Sequence, residues 1–347
     1  MTKKYDALVL IGRFQPFHNA HLEIVRKATR LAHKIIIIVG SADQPRTYKN
    51  PWTAGERASM IYDEVIAIPE IAEHRVALSI DHNIDTIYNN QAWITRVQKI
   101  VYEGNSIPLD AKIGIIGHKK DSSTKYLDSF PGWGLEEVEL IEPLSATDIR
   151  DLYFRRNCNL KYIQSVVPSK IYGSLKDNIE SEIREQVIRS REFIETYKKQ
   201  FSSLAYPPVF VTADSVVLCS GHVLLIKRRS EPGKGLWALP GGFLDTVNDQ
   251  TMKDAAIREL REETGIKVPA PVLYGSITDD RVFDSPDRSA RGRTITHAFK
   301  IELADGELPK VKGTDDALKA KWVPLSQVRS DEMFEDHYEI IQHFVGA

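Results

Sequence analysis

The chain has 347 residues, enough for two domains of ordinary size, each able to bury its own core. Its 46 basic and 48 acidic residues leave a net charge of -2, which argues against a general nucleic-acid footprint while allowing a local basic pocket. Two cysteines, Cys158 and Cys219, exclude a disulfide framework and a cysteine-rich zinc site, and the expected setting is a reducing cytoplasm. The amino-terminal apolar stretch meets Gly12-Arg13 too soon for a signal peptide, and no run of about 18 apolar residues occurs, so no membrane partner is expected.

In chain order, residues 6–11 are apolar, 20–32 amphipathic, 34–39 a solid β-branched run, and 112–116 strand-like again. Such alternation predicts an α/β domain with a parallel sheet and helices on both faces. The first strand feeds into Gly12-Arg13-Phe14-Gln15-Pro16-Phe17-His18-Asn19-Ala20-His21. Strand-to-helix turns of this kind hold phosphate, because backbone N–H groups and the helix dipole point at it. Neither G-x-G-x-x-G nor G-x4-G-K-[ST] occurs, so a dinucleotide fingerprint and a P-loop are both excluded. His18 and His21 share a helix face, where each can donate to a phosphate oxygen or carry charge beside it; a capping or core pair is the alternative. Further on, Ser145-Ala146-Thr147-Asp148-Ile149-Arg150 opens a helix. Ser145 or Thr147 can cap that helix and bind phosphate, and Arg150, one turn in, adds charge.

Residues 175–200 form a charged segment of helical period, followed by Ser202-Ser203 and Pro207-Pro208. This reads as a connecting helix and linker, giving domains at 1–172 and 207–347 joined by 173–206. From Val209 onward the pattern is strand-rich, with an acidic helix embedded and a last helix near 331–344, which predicts an α+β domain. A helix through 255–263 places Glu259, Glu262 and Glu263 at i, i+3 and i+4 on one face, and Gly265 stops it with a left-handed cap. Like charges at that spacing cost a few tenths of a kcal/mol per pair, roughly, and a hard divalent cation with oxygen ligands would offset them. Arg258 can hold Glu262 one turn away. A solvated acidic face is the alternative. Upstream, Arg228-Arg229 and the segment 281–293 supply cations suited to a diphosphate, although an arginine pair at a strand end is also a common solvated edge.

The apolar strand ending in Gly241-Gly242, together with Arg258-Glu259-Leu260-Arg261-Glu262-Glu263-Thr264-Gly265-Ile266, resembles the Nudix box, G-x5-E-x7-R-E-U-x-E-E-x-G-U. The resemblance implies that Glu259, Glu262 and Glu263 hold Mg²⁺ or Mn²⁺, with Glu262 and Glu263 counted as catalytic. Two departures stand out: Gln250 occupies the place of the first glutamate, and the loop 242–250 is two residues longer. The metal site is expected to survive with a reshaped loop.

In the first domain, GRFQPFHNAH resembles the nucleotidyltransferase signature (H/T)-x-G-H, with Ala20 in place of glycine, and SATDIR resembles its S-x-T-x-x-R partner. Gly40-Ser41-Ala42 and Asn50-Pro51-Trp52-Thr53-Ala54-Gly55-Glu56-Arg57 look like segments of archaeal-type nicotinamide mononucleotide (NMN) adenylyltransferases. Taken end to end, the chain resembles the bifunctional NMN adenylyltransferase/Nudix hydrolase family, with a Rossmann-like nucleotidyltransferase domain ahead of an α+β Nudix domain. That resemblance implies ATP held by Gly12, Arg13, Phe14, His18, His21, Ser145, Thr147 and Arg150. The NMN phosphate then attacks the α-phosphorus of ATP, releasing pyrophosphate and leaving NAD, with charge stabilisation by His18, His21, Arg150 and Mg²⁺. Trp93 is the candidate to stack on nicotinamide and Trp133 the second candidate. Arg57 serves either a phosphate or an ion pair with Glu56, and His118 either a nucleotide or a strand end. In the second domain the family's usual substrate is ADP-ribose, cleaved to AMP and ribose 5-phosphate. Arg228, Arg229, Gly242 and Phe283 are the candidates at that substrate, with Phe283 stacking on adenine. Nucleotides are the expected partners, and a homo-oligomer is left open. Two alternatives remain: a different phosphate acceptor in the first domain, or an ADP-ribose sensor in the second.

Overall fold

The computed structural model describes residues 2–119, 122–139, 145–314 and 317–346. Two compact units divide at Ile188/Arg189. The first contains strands β1 (Tyr5–Gly12), β2 (Ala32–Ala42), β3 (Ala77–Ile84), β4 (Ile113–Gly117) and β5 (Gly134–Glu137). Its helices are α1 (Asn19–Leu31), α2 (Ala54–Val65), α3 (Pro69–Ala72), α4 (Asn90–Lys99), α5 (Ala146–Tyr153), α6 (Leu160–Val166) and α7 (Ser169–Asp177). Helix α8 (Glu182–Lys199) runs through the division between the units.

The sheet of the first unit has the order β3-β2-β1-β4-β5, and every neighbouring pair is parallel. Its β-branched strands have no polar face because both faces are covered. Along β1, Leu8 and Leu10 enter one core while Ala7, Val9 and Ile11 enter the other; along β2, Ile35, Ile37 and Val39 alternate with Ile36 and Ile38 in the same way. Strand order reverses between β1 and β4, so a crevice opens beyond their carboxyl ends, where open parallel sheets bind ligands.

The second unit contains β6 (Phe210–Cys219), β7 (His222–Arg228), β8 (Trp237–Ala238), β9 (Gly241–Phe243), β10 (Ile277–Phe283), β11 (Thr294–Glu302) and β12 (Ala317–Pro324). Helices α9 (Met252–Thr264), α10 (Ala270–Gly275) and α11 (His337–Val345) complete it. The main path of its mixed sheet is β10-β11-β6-β7-β12, with β8 paired to β7 and β9 to β6. β11 and β6 are parallel, and the other pairs are antiparallel. Helix α9 begins at a reciprocal cap between Thr251 and Asp254 and ends at Gly265, whose φ of 54° lies in the left-handed region. Ala255, Ala256 and Leu260 bury its apolar side against the sheet, leaving Glu262 exposed, Glu259 half-buried and Glu263 buried. Among the described residues, no helix is long and apolar enough to cross a membrane.

Candidate functional site

In the first unit, the turn after β1 brings the sequence candidates together. Phe14 has a φ of 51° and packs its ring on Gly12, where an added Cβ would sit 2.8 Å from that ring. Phe14 and Phe17 lean on the His21 ring, and the His18 and His21 rings lie 3.8 Å apart. The His18 N–H donates to His21 Nδ1 at 3.3 Å. That nitrogen therefore acts as the acceptor, and the proton of a neutral His21 sits on Nε2, available for donation. Burial lowers His18 to about 4, and burial together with His18 holds His21 well below the usual imidazole range. Both rings are thus neutral donors at pH 7 until an anion arrives.

Arg150 reaches across from α5. Its Nη1 donates to Gln15 O at 2.6 Å and its Nη2 to Thr147 Oγ1 at 3.1 Å, while the buried Nε finds no partner among the described residues. Burial and the nearby Arg13 lower its guanidinium to about 10. Ser145 caps α5 in a reciprocal pair with Asp148. Arg13 itself is exposed. A neutral imidazole pair, a helix amino terminus and two arginines around one crevice form a receptor for a polyanion.

Three further candidates in this unit bond to the protein itself. Arg57 is only 2% exposed and donates to the carbonyls of Arg13, Gly40, Ser41, Trp52 and Thr53, so its donors are spent on backbone and none faces a phosphate. Glu56 pairs instead with Arg46. Trp133 precedes β5, whose Gly134 pairs with Gly114, which in turn pairs with Leu8. That register sets Trp133 at the amino-terminal edge of the sheet, roughly 16 Å from Gly12 along the strand direction and two strands to the side, and its Nε1 donates to Tyr102. His118 Nδ1 bonds Val138 O at 2.9 Å, which ties strand ends. Trp93, by contrast, sits in the first turn of α4 against Tyr126, whose hydroxyl donates to Ile11 O at the ligand edge. Gln15 carried no sequence signal, yet it is 1% exposed, and its amide bonds both the N–H and the carbonyl of Trp52.

In the second unit, β9 brings two glycines against α9. An added Cβ at Gly242 would lie 2.4 Å from Glu259 Oε1, and one at Gly241 would lie 2.4 Å from Asp214 Oδ1. At Gly241 the Ala213 carbonyl is equally close and bars any side chain, and at Gly242 a Cβ would displace the Glu259 carboxylate. The Gly241 N–H donates to Glu263 Oε2 at 2.9 Å. Burial pushes the Glu263 carboxyl up to about 8, with Glu259 and Asp214 adding to the rise against the Gly241 bond. Glu259 is also raised by burial. Among the described residues, no three His, Cys, Asp or Glu side chains already surround one point. Glu259 and Glu262 turn toward Arg258 Nη1, at 2.9 Å each. The donor set nevertheless suits a hard divalent ion: three clustered carboxylates, with burial raising Glu259 and Glu263, Arg258 as the cation bridging Glu259 and Glu262, and a glycine cradle on the other side.

Asp249 is the residue the sequence reading missed. Its carboxylate takes Arg258 Nε at 2.9 Å and Nη2 at 2.8 Å, and its side chain is 2% exposed. Gln250, which the pattern aligns with the first glutamate, makes no side-chain bond to Arg258. The longer loop 242–250 folds through Asp245, which accepts from Val247 and Asn248, and so delivers the acid one residue earlier. An acid adjacent to the aligned position was the available signal.

Arg228 lies within electrostatic reach of Glu263 and Asp214, stacked 3.9 Å over Phe334. Arg229 is exposed and, among the described residues, donates to Ala317 O at 3.4 Å. Phe283 is 0% exposed and packs against His343 and Phe344 of α11; an adenine cannot stack on it.

A switch-point crevice with an imidazole pair, and a glycine-cradled carboxylate helix on a mixed sheet, define a nucleotidyltransferase unit followed by a Nudix unit. Residues 9–152 match the cytidylyltransferase-like family, and residues 209–344 match the NUDIX domain. The chain is 40% identical over 185 residues to a nicotinamide/nicotinic acid mononucleotide adenylyltransferase of Acinetobacter baylyi, covering 53% of this chain and 92% of that one. It is 33% identical over 160 residues to an ADP-ribose pyrophosphatase of Methanocaldococcus jannaschii, covering 46% and 83%. A crystal structure of a bifunctional NMN adenylyltransferase/ADP ribose pyrophosphatase from Francisella tularensis, complexed with AMP and a manganese ion, matches 99% of both chains at 32% identity and a TM-score of 0.89. The chain belongs to the bifunctional NMN adenylyltransferase/ADP-ribose pyrophosphatase family.

Proposed function

We propose that the first unit transfers the adenylyl group of ATP to NMN, giving NAD and pyrophosphate, and that the second hydrolyses ADP-ribose to AMP and ribose 5-phosphate. The observation that carries this reading is the coexistence, in one chain aligned end to end with the Francisella enzyme, of the His18–His21–Arg150 crevice and the Glu259–Glu262–Glu263 helix.

In the first reaction the NMN phosphate is already anionic at neutral pH and displaces pyrophosphate from the α-phosphorus without a strong base. His18 and His21 Nε2 donate to the ATP phosphates at the amino terminus of α1, and Arg150, whose Nε has no partner among the described residues, takes the leaving pyrophosphate side. Gly12, Arg13 and Phe14 border the nucleotide, Ser145 and Thr147 offer hydroxyls at the start of α5, and Trp93 supplies the face for the cationic nicotinamide. Mg²⁺ accompanies ATP.

In the second, Glu259, Glu262 and Glu263 would hold Mg²⁺ or Mn²⁺, which would supply charge neutralisation for the diphosphate and activation of water. Arg258 fixes Glu259 and Glu262, Gly242 gives Glu259 its space, and Arg228 faces the substrate's negative charge. The intact carboxylates favour hydrolysis over ligand sensing. The test is product analysis by ion-exchange chromatography after separate incubations with Mg²⁺: NMN plus ATP should yield NAD and pyrophosphate, and ADP-ribose should yield AMP. Failure of either product removes that half of the proposal.

A further inference from the structure

Strands β8 and β9 are joined by Leu239-Pro240, and at that joint the chain changes neighbours. β8 pairs with β7 through Trp237 and Ala238, whereas β9 pairs with β6 through Gly241, Gly242 and Phe243. A chain that leaves one ladder for another carries backbone groups that neither ladder satisfies. Pro240 has no N–H, and its carbonyl accepts from the Ser215 N–H at 2.8 Å. The N–H of Leu239, a residue 1% exposed, goes to a side chain 98 positions away: it donates to His337 Nδ1 at 2.9 Å.

His337 opens α11 and is itself buried. Burial lowers its imidazole to about 3, so the ring is neutral, with Nδ1 the acceptor and the proton on Nε2. Its placement is fixed by its surroundings. Arg288 holds the preceding Asp336 at 2.9 and 2.8 Å, the Phe334 N–H donates to Trp237 O at 2.7 Å, and Ile340, Ile341 and Phe344 bury the rest of the helix. Two residues beyond Leu239, the Gly241 N–H donates to Glu263 Oε2, which leaves Oε1 without a partner among the described residues. The next residue, Gly242, approaches Glu259 so closely that an added Cβ would lie 2.4 Å from its Oε1. A strand packed that tightly on two carboxylates passes any displacement of its joint on to both.

We infer that His337 is a positioning residue for the second reaction: by accepting the Leu239 N–H it fixes the β8–β9 joint, and through Gly241 and Gly242 it sets the Glu263 and Glu259 carboxylates for a divalent cation. It acts through β9, not on the reacting atoms. This rests on the reading of the second unit as a metal-dependent ADP-ribose hydrolase. Asparagine can place its Oδ1 near the position of Nδ1 and keep the bond, whereas leucine fills the space and leaves a buried N–H unpaired.

The test uses the full chain and two readouts: Mn²⁺ affinity by electron paramagnetic resonance without nucleotide, and AMP release from ADP-ribose over a Mg²⁺ titration. His337→Leu should weaken Mn²⁺ binding and raise the half-maximal Mg²⁺ concentration by about tenfold or more, the scale for groups that orient metal ligands. KM for ADP-ribose at saturating Mg²⁺ should change far less. His337→Asn should restore most of both losses, and NAD synthesis should stay at the wild-type rate in each variant. Ile340→Ala, which truncates a core side chain of the same helix and keeps the imidazole, should lower the thermal midpoint and leave both metal readouts unmoved. If His337→Leu does not fold, His337→Gln takes its place, because the longer side chain carries its oxygen past the Leu239 N–H. Wild-type metal behaviour in His337→Leu, His337→Asn no better than His337→Leu, or an equal shift in Ile340→Ala overturns the role. A wild type that binds Mn²⁺ but releases no AMP contradicts the substrate reading alone, and the Mn²⁺ comparison still decides on His337; a wild type that binds no Mn²⁺ overturns both.

Discussion

Asp249 grips Arg258 at two points, Oδ1 to Nε at 2.9 Å and Oδ2 to Nη2 at 2.8 Å, and Arg258 in turn holds Glu259 and Glu262. The acid that orients the carboxylate helix is therefore Asp249. Asp249→Asn should cost about 1.5–3 kcal/mol of stability, in the range of charge-assisted hydrogen bonds, and raise the Mg²⁺ concentration for half-maximal ADP-ribose hydrolysis roughly 10- to 100-fold, as for groups that orient metal ligands. Gln250→Glu should leave that titration unchanged. A metal titration of the two variants decides between positions 249 and 250.

Gly242→Ala is the sharpest steric test. Its Cβ would fall 2.4 Å from the Glu259 carboxylate, which must swing away. ADP-ribose hydrolysis should drop by about two orders of magnitude, the scale of losing one charge-organising group, while NAD synthesis in the same preparation continues at the wild-type rate.

Arg57→Ala removes a guanidinium that bonds the carbonyls of five residues from the turn after β1, the carboxyl end of β2 and the segment leading into α2. Leaving those buried acceptors unpaired should cost about 3–5 kcal/mol, at the upper end for single substitutions. Urea unfolding followed through the first unit measures it. An Arg57 that merely touched NMN phosphate would instead raise KM with little loss of stability.

The buried imidazoles give the first unit an acid sensitivity. His18 titrates at about 4 when folded and near 6.5 when unfolded, so the unfolded chain binds more protons between those values. Stability contributed by neutral His18 is present above pH 6.5 and is lost as pH falls toward 4, by about 3 kcal/mol in the limit. Unfolding curves from pH 7 to 4.5 should show a shallower decline for His18→Gln than for wild type.

How much of this was legible in the sequence differs element by element. The β-branched runs of β1 and β2, with no polar face to place in water, required a parallel sheet covered on both sides. Gly265 and the glutamate spacing required the acidic helix, whereas its start at the Thr251–Asp254 cap was not read from the sequence. Residues whose role depends on contacts far along the chain were not legible. Arg57 looks like any surface helix arginine until the turn at Arg13 and the end of β2 at Gly40 close over it. Phe283 ends a strand whose residues 278–282 are largely exposed, and only α11, some sixty positions later, shows that its ring is core. Trp133 needed the β4–β5 register to be assigned to the far edge. The predicted last helix near 331–344 starts later, because 330–332 form a single 3-10 turn and α11 begins at His337.

Phe283→Ala therefore belongs with core truncations. It should destabilise the second unit by about 3–5 kcal/mol, and the molecules that remain folded should keep the wild-type KM for ADP-ribose.

The central claim is that one chain carries two separable reactions, one at the His18–His21–Arg150 crevice and one at the Glu259–Glu262–Glu263 helix. It is tested most directly by assaying His18→Ala and Glu262→Gln in parallel, each with NMN and ATP and each with ADP-ribose, in Mg²⁺. The predicted result is a double dissociation: His18→Ala loses NAD formation and keeps AMP release, and Glu262→Gln does the reverse. NAD formation at the wild-type rate in His18→Ala, or undiminished AMP release in Glu262→Gln, would contradict it.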